Sequence, residues 1–280
     1  MLYTHATPCR PEDMETLAAV IRAEAPDVVT LQEVVLRRGQ HRTLAELAGG
    51  YTAAAEGDAN DRHSQAVLLR DGLEASPAPP VRGFRGAAIR LRMPEGPALI
   101  AVSTHSQAGR FSAERAGQHK ALAAWAAEAG ASAPVVVGGD LNFDSEPGSF
   151  THRLERLRRR LPFLPDLASA NWDEDCAGMA ALFGALTDLA GGSGTTAGAP
   201  RHWPKILLPW GLPLIPLAWC LGVGGMRARL DYVLGSKRLS KLEARVLRVT
   251  GAGAAGHPAV PRGSFPWMDH DPVVVRFAAN

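Results

Sequence analysis

The sequence predicts a layered α/β protein, and three features carry that prediction. Short apolar runs rich in β-branched residues recur: Val28 to Val35, Ala98 to Ser103 and Val135 to Val137 read as buried strands. Segments with helical spacing stand between them, at Pro11 to Ala25 and Ser112 to Ala129. The order strand, helix, strand then repeats through the first half of the chain, as expected of sheets covered by helices. With 280 residues, 46% of them hydrophobic and 21% charged, the chain can bury a large core and is not a disordered one. No low-complexity linker divides it, so residues 1–280 read as a single domain.

Composition also sets limits on function. A formal net charge of +2 is too small to argue for nucleic acid. Cys9, Cys176 and Cys220 are odd in number and widely spaced, which suits neither a disulfide framework nor a zinc site. The first residues lack the basic-then-apolar pattern of a signal peptide. A cytoplasmic or peripheral membrane location is therefore expected, and the abrupt start leaves room for residues upstream of Met1.

Taken in order, Leu2 to His5 is the end of a strand. Pro11 to Ala25 places Leu17, Val20 and Ile21 on one helix side, and Pro26-Asp27 stops it. Val28 to Val35 carries Glu33 near its end. A carboxylate in so apolar a run is costly unless paired or bound to a cation; the alternative sets Glu33 just past the strand, in solvent. Gln65 to Leu69 and Ala87 to Leu91 are further strands, with Ala75 to Pro80 a loop between them. Ala98 to Ser103 delivers Thr104-His105. A lone histidine is usually structural, but this one ends an apolar strand. Ser112 can cap the helix that follows.

The chain centres on Val135-Val136-Val137-Gly138-Gly139-Asp140-Leu141-Asn142-Phe143-Asp144. Two glycines allow a close backbone approach. In extended backbone, Asp140 and Asn142 share one face. A carboxylate and an amide there could hold a nucleophilic water and a phosphate oxygen; the plain alternative is a turn.

Phe150 to Leu161 is a helix whose arginines form a solvated face opposite Leu154, Leu157 and Leu161. Trp172 to Cys176 reads as a solvated acidic loop. Ile206 to Val223 is uncharged and interrupted by Pro209, Pro213 and Pro216, so a straight helix is not expected. Either it folds under the domain or residues 203–226 form a flap at a lipid surface, with Trp210 and Trp219 as anchors. The second is favoured, since so long an apolar patch is rarely left exposed without purpose. Leu230 to Leu234 is a strand bearing Asp231, and Asp269-His270 precedes a last strand over Val273 to Val275. No internal repeat is visible.

Glu33, His105, Asp140, Asn142, Asp231, Asp269 and His270 thus each stand at or beside a strand end, where one pocket can gather them. Hard oxygen donors such as Glu33 and Asp269 suit magnesium, with manganese as the alternative, better than zinc. His270 beside an acid can hold a proton or a phosphate oxygen.

Five blocks, Leu31-Gln32-Glu33-Val34, Ser103-Thr104-His105, Gly139-Asp140-Leu141-Asn142, Leu230-Asp231-Tyr232 and Asp269-His270-Asp271-Pro272-Val273, resemble the endonuclease/exonuclease/phosphatase superfamily in their order. The resemblance implies the α+β fold of deoxyribonuclease I: a four-layer α/β/β/α sandwich of two mostly antiparallel sheets. It also implies metal-dependent hydrolysis of a phosphate ester by in-line attack of water. Glu33 would hold the metal, with Asp269 assisting. Asp140 would orient or deprotonate the water, with Asn142 beside it. His270, oriented by Asp231, and His105 would serve the phosphate.

Thr104 to Ala108, Glu114 to Gln118 and Trp172 to Cys176 further resemble the neutral sphingomyelinase branch. Arg85 of Phe84-Arg85-Gly86-Ala87 stands where that branch carries a lysine. A phospholipid substrate and a peripheral membrane contact through 206–223 are therefore expected, on a monomer. A nuclease, an inositol-phosphate phosphatase or a catalytically weak membrane-binding relative are the alternatives. Two departures stand out: Thr4 replaces the asparagine that ends the family's first strand, and Met268 replaces the serine before Asp269-His270.

Overall fold

The computed structural model of the chain describes residues 2–5, 11–58, 64–93, 96–108, 113–144, 150–161, 170–191, 230–247 and 270–279. The first half runs β1 (Leu2–His5), α1 (Pro11–Glu24), β2 (Val28–Val34), α2 (Gln40–Ala48), β3 (Tyr51–Glu56), β4 (Ser64–Arg70), β5 (Glu74–Pro77) and β6 (Gly86–Arg92). Then follow β7 (Leu99–His105), α3 (Glu114–Gly130), β8 (Val135–Asp140), α4 (Phe150–Arg160), α5 (Trp172–Ala185), β9 (Thr187–Asp188), β10 (Asp231–Gly235), β11 (Leu239–Val246) and β12 (Val273–Ala279).

Among the described residues the strands form two six-stranded sheets, β11-β12-β1-β2-β4-β3 and β5-β6-β7-β8-β10-β9. Their wiring is the same. Each has one parallel pair, β1 with β2 and β7 with β8, joined by a helical crossover, and every other pairing is antiparallel. The topology therefore carries a repeat that the residues do not show.

Period-two alternation builds the layers. Val29, Leu31, Ala66 and Leu68 point outward and pack under α1 and α2. Ile100, Val102, Val135, Val137, Tyr232 and Leu234 point outward on the other side and pack under α3 and α5. Val28, Val67, Ala101, Val136, Val233 and Val275 face inward and fill the space between the sheets. The result is the expected four-layer sandwich. Each fully buried valine, leucine or isoleucine contributes about 1.5–3 kcal/mol, so apolar strand bodies can hold polar strand ends in place.

Several sequence expectations change. The loop expected over Ala75 to Pro80 begins instead as the exposed edge strand β5, with Pro77 at its end where no ladder donor is needed. The acidic segment Trp172 to Cys176 is the first turn of α5, not a solvated loop. Asp173, Glu174 and Asp175 suit the positive end of that helix, and Asp175 is fully buried. α3 starts at Glu114 after Ala113, without a side-chain cap; Ser112 lies outside the described residues. α2, β3 and β11 were not expected. The uncharged segment 206–223 and its flap boundaries, together with Cys9, Cys220 and Asp269, also lie outside the described residues.

Candidate active site

The site grows from inward-facing positions at one end of β7, β8 and β10. Because Ala101, Val136 and Val233 face inward, so do His105, Asp140 and Asp231. Register then lines them up: Asp140 pairs with His105 on its parallel side and with Asp231 on its antiparallel side. Gly139 permits the close approach of β7 and β8, since a Cβ there would lie 2.3 Å from Thr104 Cγ2 and 2.7 Å from the Thr104 carbonyl oxygen.

The other sheet supplies Glu33 and His270. Alternation would send Glu33 outward with Val29 and Leu31. Instead β2 carries an extra residue against β4: Leu31 pairs with Ala66 but Val34 with Ser64. Glu33 takes a φ of +56 within this bulge, a left-handed conformation that costs a glutamate roughly 1–3 kcal/mol and clusters at functional sites. The bulge re-aims the carboxylate, bringing Glu33 Oε1 4.0 Å from His105 Nε2. It is neither inside the apolar strand face nor fully in solvent. His270 stands just before β12, and its Nδ1 lies 2.8 Å from Asp231 Oδ2 and 3.0 Å from Oδ1. A carboxylate accepts, so Nδ1 carries the proton.

Asp140 divides its two oxygens between tasks. Oδ1 accepts the Asn142 backbone N–H at 2.8 Å. Oδ2 faces His105 Nε2 at 3.7 Å and His270 Nε2 at 3.9 Å. The expected shared face of Asp140 and Asn142 does not form. β8 ends at Asp140, and Asn142 has a φ of +51, which asparagine tolerates. Its side-chain amide donates instead to the Ser106 carbonyl at 3.0 Å, tying the β7 and β8 loops together.

Asp140, Asp231 and His270 each offer a ligand atom, all within 4.8 Å of one another, and all three residues are buried. Two carboxylate charges at that distance repel by at least about 3 kcal/mol at an effective dielectric near 20, on top of several kcal/mol of desolvation each. Such a pair needs positive charge beside it. The donor chemistry, carboxylate oxygens with one imidazole, fits a divalent cation. Glu33 extends that set toward His105.

Of the remaining expected residues, Thr4 sits in β1 with its backbone paired to Leu31. Arg85 is half-buried just before β6, and its carbonyl accepts the Thr104 hydroxyl at 2.7 Å. The sequence reading missed the polar groups beneath the site. Gln32 Nε2 donates to Ser103 Oγ at 2.7 Å and to the Gly138 carbonyl at 3.3 Å, bridging the two sheets. Their signal was available: both are polar residues at inward positions of apolar strands. Arg115 and Asp175, joined in a buried ion pair between α3 and α5, were also missed as a pair. Only their packing reveals it, since 60 residues separate them.

The class of protein is set by its fold and site: a two-sheet sandwich covered by helices, with acids and histidines gathered at its strand ends. The chain belongs to the endonuclease/exonuclease/phosphatase family, whose model matches residues 5–264. Members of this family hydrolyse phosphoesters, generally with a divalent metal. No curated protein sequence matches. Among solved structures, D. rerio TDP2 complexed with single-strand DNA product is similar at 14% identity and a TM-score of 0.63, covering 100% of this chain and 99% of that one. An endonuclease/exonuclease/phosphatase from Bacteroides vulgatus is similar at 13% identity and a TM-score of 0.64, over 100% and 98% of the two chains. ANGEL2, a 2′,3′-cyclic phosphatase, is similar at 15% identity and a TM-score of 0.54, over 94% and 84%. At these identities the likeness establishes the fold. The neutral sphingomyelinase branch is not among these three.

Proposed function

We propose that this protein is a metal-dependent phosphodiesterase that acts on a phospholipid. The observation that carries the hydrolytic reading is the row His105, Asp140 and Asp231 across three adjacent strands, with His270 bonded to Asp231. Magnesium, or manganese in its place, held by Glu33 and the acids gathered near it, with Asp269 assisting as the family resemblance implies, would neutralise charge on the phosphoryl and leaving oxygens. The chain's own groups do the rest. Asn142 N–H holds Asp140 Oδ1, leaving Oδ2 to orient the attacking water and take its proton. Asp231 fixes the His270 ring so that Nε2 faces the scissile phosphate. His105, on the other side of Oδ2, donates to the leaving group. On the family resemblance, Thr4, Arg85 and Asn142 would contribute to binding the substrate phosphate.

The lipid assignment is supported by the uncharged, tryptophan-bearing segment 206–223 and by the near-neutral charge. On this reading the protein is a monomer that meets a membrane surface peripherally; no helix of the described residues is long and apolar enough to cross a membrane. A second reading, a nuclease, is favoured by α4. Arg153, Arg156, Arg159 and Arg160 are exposed on it. The His152 ring of α4 meets Trp172 edge to face, and Trp172 packs on Phe143, three residues from Asp140.

A panel decides between them: sphingomyelin vesicles, inositol phospholipid vesicles and plasmid DNA, each with magnesium and with chelator. Magnesium-dependent headgroup release from vesicles is expected. DNA nicking without headgroup release transfers the assignment to the nuclease, and no hydrolysis anywhere removes both.

A further inference from the structure

Behind the site, the first turns of α3 present three polar side chains to the protein interior, and the proposed reaction uses none of them. Arg115 and His119 are buried and Gln118 is half-buried. The next inward residues of the helix, Leu122, Trp125, Ala126 and Ala129, are apolar core. Polar groups at this depth are costly unless bonded, so where their bonds go is informative.

Two of the three bond a loop that carries a site residue, and the third packs beside one. Gln118 Oε1 accepts the backbone N–H of Gln107 at 2.7 Å, in the loop that follows His105. His119 Nε2 lies 3.1 Å from the Leu141 carbonyl oxygen. A carbonyl can only accept, so this nitrogen carries the proton, and Nδ1 has no partner among the described residues. Arg115 holds Asp175 of α5 through Nε at 3.1 Å and through a second bond from Nη2, and its guanidinium lies 5.7 Å from the centre of the Phe143 ring. Burial keeps the His119 ring neutral, pushing its pKa down to about 4. The contact is therefore a steady neutral donor at working pH. The packing behind it is close: a Cβ on Gly178 would sit 3.1 Å from His119 Cβ.

The Leu141–Asn142 peptide is the point of leverage. Its carbonyl accepts from His119 and its N–H donates to Asp140 Oδ1. The two groups lie on one rigid plane, so fixing one end fixes the other. The Leu141 N–H is held separately by the Leu230 carbonyl at 2.9 Å. We infer that His119 is a positioning residue: by anchoring the Leu141 carbonyl it orients the peptide that holds Asp140, so that Oδ2 faces His105 and His270, while Gln118 anchors the His105 loop in the same way. The inference rests on the hydrolytic reading above for its consequence in catalysis, but not for the clamp itself.

Two variants and two measurements test it. His119→Leu removes the donor, and His119→Gln keeps an N–H near the Nε2 position. Amide hydrogen exchange at Asn142 reads the clamp without any reaction. Turnover of bis(4-nitrophenyl) phosphate with magnesium reads the consequence. In His119→Leu, Asn142 exchange is expected to speed up at least about tenfold. kcat is expected to fall about 10- to 100-fold, the scale for a lost outer partner of a metal site, with KM nearly unchanged. His119→Gln should restore both to within about threefold. Should His119→Leu not fold, Gln118→Met gives the parallel test, with faster exchange at Gln107 and a lower kcat. Parent-like exchange and kcat in His119→Leu, or equal damage in the Leu and Gln variants, overturns the proposal. An inactive parent with Asn142 exchange responding as stated overturns the hydrolytic reading and leaves the clamp standing.

Discussion

The two sheets share one wiring and present their site residues by different means. In the sheet of β7, β8 and β10, plain register suffices: alternation turns His105, Asp140 and Asp231 inward, and strand pairing sets them side by side. In the sheet of β1, β2 and β12, alternation alone would fail. Glu33 reaches the site through a strained bulge, and His270 reaches it from the segment before β12. Register is rigid, because moving one residue of the row would move a whole strand. A bulge is local, so its side chain can be aimed at the expense of strain. One sheet thus supplies a fixed row, and the other supplies residues adjustable against it.

Breaking the row, or the His270 that is bonded to it, is expected to have the largest effect. Asp140→Asn and His270→Ala should each lower turnover by at least about a hundredfold, the usual scale for a lost general acid or base. Steady-state kinetics on the substrate that the panel identifies checks this, and near-parent rates in both would show that the row is not the reacting centre.

The backing of the row comes next. Arg115→Ala leaves the Asp175 carboxylate buried and without its guanidinium, which should cost about 3–5 kcal/mol. Urea unfolding measures it. A loss below 1 kcal/mol would mean that α5 relaxes and hydrates Asp175 freely.

The same backing carries a pH signature. His119 has its pKa lowered by burial from 6.5 to about 4. Between those values the unfolded chain binds a proton that the folded chain does not, so stability falls as pH drops through that window. The full difference is at most about 3 kcal/mol. In His119→Gln the fall between pH 7 and pH 4.5 should flatten relative to the parent.

The smallest stability effect expected is on the adjustable side. Glu33→Gly relieves the left-handed strain and should raise stability by about 1 kcal/mol while lowering metal-dependent turnover. A thermal melt and a magnesium titration of activity measure the two together. A destabilised Glu33→Gly would show that the bulge is held by the Glu33 side chain rather than by β4.

Much of this was legible in the residues. Val135 to Val137 followed by two glycines and Asp140 marks a strand end, and Thr104-His105 and Asp231 stand at comparable ends. Nothing in the local pattern revealed that Trp172 to Cys176 opens a helix whose Asp175 meets Arg115, or that His119 grips the Leu141 carbonyl. Those contacts join residues distant in the chain, and an arginine or a histidine in a helix reads the same whether it faces water or the core.

The order of residues was enough to set the apolar period of two and the polar residues that end it. With those came the layers, and the end of the sandwich that holds His105, Asp140 and Asp231. The aim of Glu33, the turn of Asn142 away from the Asp140 face and the support from α3 came with folding alone. Alternation is a property of one strand and its backbone geometry. A bulge exists only in the pairing of two strands, and a buried hydrogen bond only once two layers have closed around it.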